Sequence, residues 1–171
     1  MIIDDTKIAN PKCMAFPLIL FLLCLAAATA YGFPATVVAV DNGDTLVVVS
    51  DGERRTVRLY GIDAPVSGQQ GANAAKRYLR SIALSSPVDV EVVSTDVFGR
   101  SLAIVRRAHI MSSVNASIVA NGYAWVNPKT CQKDKCGKWR RLEGQARKYR
   151  MGIWSGYDLT PPWEFKQQQR R

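Results

Sequence analysis

Four charged residues stand where a solvated surface has little use for them. Asp44 lies in Asn42-Gly-Asp-Thr45 at the head of an apolar run, and Arg58 interrupts the run Thr56-Val-Arg-Leu-Tyr60. Asp63 follows within Gly61-Ile-Asp-Ala-Pro65, and Arg100 closes the turn Asp96-Val-Phe-Gly-Arg100. Two carboxylates at strand ends are hard-oxygen ligands suited to Ca²⁺ or Mg²⁺. Two guanidiniums are planar forks that match phosphate oxygens. A divalent cation with two arginines would stabilise a phosphodiester gaining charge on its equatorial oxygens. Taken singly, each residue has a plainer reading: an Asp before a strand as a turn or cap, an Arg on a strand as a surface residue with a cross-strand partner. Only their order and combination point to phosphoryl chemistry. The one histidine, His109, leaves no basis for a His-rich metal cluster and reads as a loop residue.

The elements that must hold these residues are mostly strands. Thr36–Val40 and Thr45–Val49 are β-branched runs, Asp51-Gly52 is a hairpin turn signal, and Val57 and Leu59 alternate with Arg58. Gln70–Leu84 carries Ala75, Tyr78, Leu79 and Ile82 at helical spacing, with Lys76, Arg77 and Arg80 outside them. Val88, Val90 and Val92 then alternate with Asp89 and Glu91, and Ser101–Val105 supplies a fifth strand. Ser113–Ala120 predicts a short helix ended by Asn121-Gly122. A last helix is expected from Lys138 to Arg150, with Trp139, Leu142, Ala146 and Tyr149 on its buried face. Five short strands with a helix inserted between the third and fourth predict an α+β chain dominated by a small closed barrel, the five-stranded oligonucleotide-binding (OB) fold with accessory α-helices.

Length and charge set the outer bounds. The 171 residues carry 23 Lys and Arg against 14 Asp and Glu, a net charge of +9. That length favours one domain with a real core, and the excess of cations points to a polyanionic partner. Residues 129–150 hold nine of the basic residues and two acidic ones. Lys138, Arg140, Arg141, Arg147 and Lys148 lie off the apolar stripe of the last helix, either as a solvated face or as sites of nonspecific phosphate attraction. Residues 1–30 read as a secretory signal peptide: Lys7 and Lys12, an apolar run from Met14, and Ala28-Thr-Ala30 before Tyr31. An uncleaved anchor is the alternative, although the apolar part is shorter than the ~20 residues of a membrane span. Residues 31–165 form the expected domain, and 166–171 a polar C-terminal tail. Cleavage would leave two cysteines, Cys131 and Cys136, for which a disulfide fits an exported setting better than a metal site.

Asn42-Gly-Asp-Thr-Leu46, Val57-Arg-Leu-Tyr-Gly-Ile-Asp-Ala-Pro65, Phe98-Gly-Arg-Ser-Leu-Ala103, Val114-Asn115, Asn121-Gly-Tyr-Ala-Trp125, Gly152-Ile-Trp-Ser155 and Pro161-Pro-Trp163 occur in this order. In that order they closely resemble the staphylococcal nuclease-like (thermonuclease) domain, across nearly all of residues 35–165. The resemblance implies the same barrel and a calcium-dependent phosphodiesterase of DNA and RNA that attacks with water and leaves a 3′-phosphate. It makes Asp44 and Asp63 the calcium carboxylates, with the Ala64 backbone carbonyl as a further oxygen ligand. It makes Arg58 the residue that grips the scissile phosphate, and Arg100 its partner near the leaving oxygen. It also makes Asn115, which stands in the formal glycosylation sequon Asn115-Ala-Ser117, a structural residue at a helix start.

Three departures from that pattern stand out. The family's Glu after the Asp-x-Pro, which orders or deprotonates the attacking water, is Val66 here. Gln69, Gln70 and Asp41 are the nearby polar residues available to orient water instead. A Lys-Tyr pair that contacts the terminal phosphate is Val97-Phe98, and Asn127 stands where aromatics often lie. The expectation is therefore a secreted or periplasmic monomeric nuclease of low sequence specificity with Ca²⁺ as cofactor and nucleic acid as partner. The alternatives are a catalytically weakened barrel that binds nucleic acid or another polyanion, and an envelope interaction module.

Overall fold

A computed structural model describes residues 32–132, 134–156 and 159–170. The predicted leader, residues 1–30, lies outside them. The strands among the described residues are β1 Gly32–Asn42, β2 Thr45–Ser50, β3 Glu53–Leu59, β4 Ile62–Asp63, β5 Pro87–Thr95, β6 Ser101–Arg107 and β7 Trp125–Val126. Among the described residues the α-helices are α1 Ala72–Ala83, α2 Val114–Ala120, α3 Lys135–Lys148 and α4 Pro162–Gln168, with a 3₁₀ turn at Gly152–Ser155.

Five strands close a barrel in the order β1-β2-β3-β6-β5, and β4 and β7 form a separate two-stranded ribbon. The expected α+β, OB-type barrel is the fold. The first strand is longer than its β-branched run because it serves two neighbours. Gly32–Thr36 pairs with β5, and Thr36–Asn42 pairs with β2. Register shifts at Val37/Ala39 and Val40/Asn42 bend it between them. The β2–β3 hairpin turns on Asp51 and Gly52, both at positive φ, as an Asp-Gly loop of the primed type requires. Closure comes from the parallel pairing of β3 with β6, where Val57, Arg58 and Leu59 face Ser101, Leu102 and Ala103.

Val37, Leu46, Val48, Val57, Leu59, Val90 and Val105 fill the barrel, and Leu79 of α1 packs into the same core. Asn115, fully buried, pins α2 to the barrel: its amide donates to the carbonyls of Tyr60 and Ala103 and accepts from the Val105 N–H. This matches the structural role expected of it and removes it from any surface modification. A second cluster of Trp125, Ala146, Ile153 and Trp154, flanked by Leu159 and Trp163, holds the C-terminal segment.

Two expectations need correcting. Tyr149 is 68% exposed, not on the buried face of α3; the stripe runs Cys136, Trp139, Glu143, Ala146. Glu143 can be buried because its carboxylate pairs with Arg147 at 2.6 Å and accepts the Val126 N–H. The predicted tail also begins inside α4, which runs to Gln168.

Candidate nucleic-acid cleavage site

Asp44 is placed by local chemistry. The Asn42 side chain accepts the Asp44 N–H at 3.0 Å, closing an Asx turn between β1 and β2. Gly43 lies under α1, where a Cβ would stand 2.6 Å from that of Ala64 and 2.7 Å from that of Ala75. With no side chain there, helix and loop close over the site. The Asp44 carbonyl accepts from the Leu59 N–H at 2.8 Å, fixing the loop to the end of β3.

Arg58 is the next-to-last residue of β3, on the face opposite Val57 and Leu59. Its Nη2 donates to Asp44 Oδ2 at 3.1 Å and to Asp63 Oδ1. Asp44 also accepts from the Thr45 hydroxyl at 2.9 Å and the Ala64 N–H at 3.1 Å. Asp63 sits on β4 and accepts from Asn127 Nδ2 at 2.7 Å. Both carboxylates are buried, and Ala64 is buried beside them. Burial pushes the Asp44 carboxyl above its ordinary range; Arg58 pulls the other way, and the neighbouring Asp63 adds to the rise. Burial alone would lower the Arg58 guanidinium, but Asp44 and Asp63 together hold it above its ordinary value. Two carboxylates on one guanidinium leave the cluster one negative charge in excess. Among the described residues no third carboxylate, histidine or cysteine joins them.

Arg100 approaches from the β5–β6 turn. Asp96 aims it: Oδ1 accepts the N–H groups of Phe98 and Arg100, and Oδ2 takes Arg100 Nε at 2.7 Å. Desolvation opposes it, yet these bonds hold the Asp96 carboxyl below its ordinary range. Arg58, Asp63, Asp96, Arg100, Asn127 and Lys166 line one cleft of about 270 Å³. The expected constellation of Asp44, Asp63, Arg58 and Arg100 is therefore brought together, with Asp44 behind the cleft wall.

The matched family, described as staphylococcal nuclease homologue, covers residues 56–156 of the chain. This chain belongs to the staphylococcal nuclease family. The family's span takes in Arg58, Asp63 and Arg100, and the Asp44 turn lies just before it. The chain is 30% identical over 141 residues to the micrococcal nuclease of Shigella flexneri, covering 78% of this chain and 80% of that one. It is 31% identical over 147 residues to an uncharacterized endonuclease of Escherichia coli O157:H7, covering 86% and 93%. A protein named ParB of Escherichia coli is 32% identical over 139 residues, covering 77% and 78%.

Within this nuclease fold, the other candidate residues are placed as follows. Val66 is half-buried, and its N–H donates to Gln69 Oε1 at 3.2 Å. Gln69 Nε2 donates to the Thr160 carbonyl at 2.5 Å, so this side chain is a strut between two segments. Neither Gln70 nor Asp41 lines the cleft. Lys138, Arg140, Arg141 and Lys148 are exposed along α3, away from the cleft lining. Arg147 pairs with Glu143 and lies 4.1 Å over the Trp154 ring. Phe98 is 79% exposed at the turn that carries Arg100.

Cys131 and Cys136 form the expected disulfide. It packs on the turn after β3, where a Cβ on Gly61 would meet Cys131 Sγ at 2.8 Å; that glycine also holds a φ of +73°. The Cys131 N–H donates to the Asn127 carbonyl, and the Asn127 N–H to the Gly61 carbonyl. The disulfide thus braces the loop that supplies Asn127. Asn127, Asp96 and Lys166 are site residues that the sequence reading did not assign.

Proposed function

We propose that this chain is an exported, calcium-dependent nuclease that hydrolyses phosphodiester bonds of DNA and RNA with little sequence preference, leaving 3′-phosphates. The observation that carries this reading is the meeting of Arg58 and Arg100 in one cleft, directly in front of the buried Asp44–Asp63 pair. Two preset guanidiniums can hold the non-bridging oxygens of one phosphate and stabilise the charge those oxygens gain. Asp96 fixes one fork before substrate arrives, and the carboxylate pair fixes the other.

The donor set fits calcium. The donors are hard oxygens, the excess charge is negative, and the pair is buried. Asp44, Asp63 and the Ala64 carbonyl would hold the ion. Bound there, it would supply Lewis-acid stabilisation of phosphoryl charge and a lowered pKa for a bound water. With only two carboxylates, the protein contributes little charge, which predicts weak calcium affinity. Arg58 has to exchange part of its bonding to these carboxylates for the phosphate. Export is supported by the leader-like residues 1–30 and by the disulfide, which persists in oxidising compartments.

The test is cleavage of plasmid and single-stranded DNA with calcium and with chelator. Calcium-dependent nicking is expected, and Arg58→Ala and Asp44→Ala should each reduce it by about 10³ or more. A second reading, a barrel that binds polyanions without cutting, is favoured by Val66 and by the engagement of Asp63 and Asp96 with arginines. Salt-sensitive gel retardation with no cleavage would select it.

A further inference from the structure

Lys166 sits in the cleft although it belongs to the C-terminal helix, outside the span matched by the family. That helix is firmly seated. Pro162 occupies its first turn, and Trp163 and Leu159 pack against the Trp125–Trp154 cluster. The Gln69 side chain joins the Thr160 carbonyl, just before the helix, to the Val66 N–H in the loop after Asp63. Lys166 follows Trp163 by three residues, one turn along the same flank.

The charge pattern singles this lysine out. The two carboxylates lining the cleft are already engaged, Asp63 by Arg58 and Asn127, and Asp96 by Arg100. Among the described residues no carboxylate lies within ion-pair distance of Lys166, which is half-buried. A half-buried ammonium facing a cleft whose described carboxylates are already paired is poised for an anion that arrives with the ligand. Arg58 comes from β3 and Arg100 from the turn before β6, whereas Lys166 comes from a third part of the chain, α4.

Building on the nuclease reading above, we propose that Lys166 is a substrate-binding residue that takes a phosphate flanking the scissile one, which makes α4 part of the binding site. Lysine suits this task as a mobile point charge, since a flanking phosphate needs no bidentate geometry.

The test uses the full chain and a labelled oligothymidylate in chelator, so that binding is read without cleavage, by fluorescence anisotropy over a range of salt. Lys166→Ala is expected to weaken binding by roughly three- to tenfold and to reduce the log–log salt slope by about 0.7. Lys166→Met, which keeps the aliphatic stem, should do the same with an unchanged melting temperature, and Lys166→Arg should restore both affinity and slope. A merely structural role would move the melting temperature and leave the slope alone. Wild-type affinity and slope in both Lys166→Ala and Lys166→Met, beside a clear loss in Arg100→Ala, would overturn the Lys166 assignment while leaving the nuclease reading intact. Absence of binding by the wild-type chain at low salt, together with absence of cleavage in calcium, would overturn both.

Discussion

Asp44 shows how the site sets function against stability. Its carboxylate is buried and shares one guanidinium with Asp63, so the ionised form is held at a cost. A carboxyl whose pKa is raised on folding contributes its stability below the unfolded value, near 3.9, and loses it as pH rises through the folded value. Near neutral pH, then, Asp44 is a liability in chelator. Asp44→Asn leaves Arg58 with one carboxylate, a neutral pair. It should raise the melting temperature in chelator by about 2–4 °C, on the order of 1 kcal/mol, and remove any gain that added calcium gives the wild type. A drop in chelator would mean that the lost ion pair outweighs the burial. Val66 poses the opposite case, a residue too inert for its place. Val66→Glu is expected to raise kcat by about 10²-fold, since a general base is worth 10²–10⁴; stopped-flow or gel-based rates at saturating substrate would show it. An unchanged rate would assign the water to another group. Asp44, Arg58, Asp63 and Arg100 were legible in the sequence only together, through the order of the motifs that hold them, since each alone has a plainer reading. Asn127 was not. Its partner Asp63 is 64 residues away, and an Asn before Pro128 reads as an ordinary loop residue.

Elements position these residues through a few cross-links. Glu91 on β5 accepts from Arg106 on β6 at 2.7 Å and from Lys135 at the start of α3 at 3.1 Å. Desolvation opposes it, yet these two partners hold the Glu91 carboxyl below its ordinary range. The sign is the reverse of Asp44: the stabilisation is present above the unfolded pKa, near 4.3, and is lost as pH falls through the folded value. The trio is partly solvated, so its worth is on the order of 1 kcal/mol or less. Glu91→Gln should therefore lower the melting temperature at pH 7 by a few degrees, and the gap should shrink as pH falls below about 4.3; thermal melts from neutral to acid pH would check it. The barrel strands and α1 were readable from periodicity, because one face of each is buried. β4 and β7 were not, since two residues carry no period. The polar run Lys166-Gln-Gln-Gln169 hid α4, whose helical cues are Pro162 in its first turn and the anchor Trp163. Tyr149 was misplaced because α3 ends at Lys148, so the chain turns before the stripe would bury it.

At the scale of the molecule, α3 carries six basic residues and one acidic one, five of the net +9, away from the cleft lining. That separation predicts distinct phenotypes. Replacing Lys138, Arg140, Arg141 and Lys148 with Ala should flatten the salt dependence of single-strand binding by up to about 3 in log–log slope, roughly 0.7 per cation. The turnover number at saturating DNA should stay near wild type, because none of the four lines the cleft. Arg147 is left out of that set, since its loss would strand Glu143 and uncover Trp154. The parallel joint between β3 and β6 carries a different consequence. Arg58 stands opposite Leu102 there, two positions from Arg100, although a helix and two strands intervene in the chain. The cleft therefore exists only after the slowest kind of contact, a long-range parallel closure, has formed. During refolding from denaturant, cleavage should return with the last barrel-closing phase and not with the earlier recovery of helical signal. Catalysis is then a reporter of topology: a chain that has collapsed and gained its helices, yet has an open barrel, would have every catalytic residue and no active site.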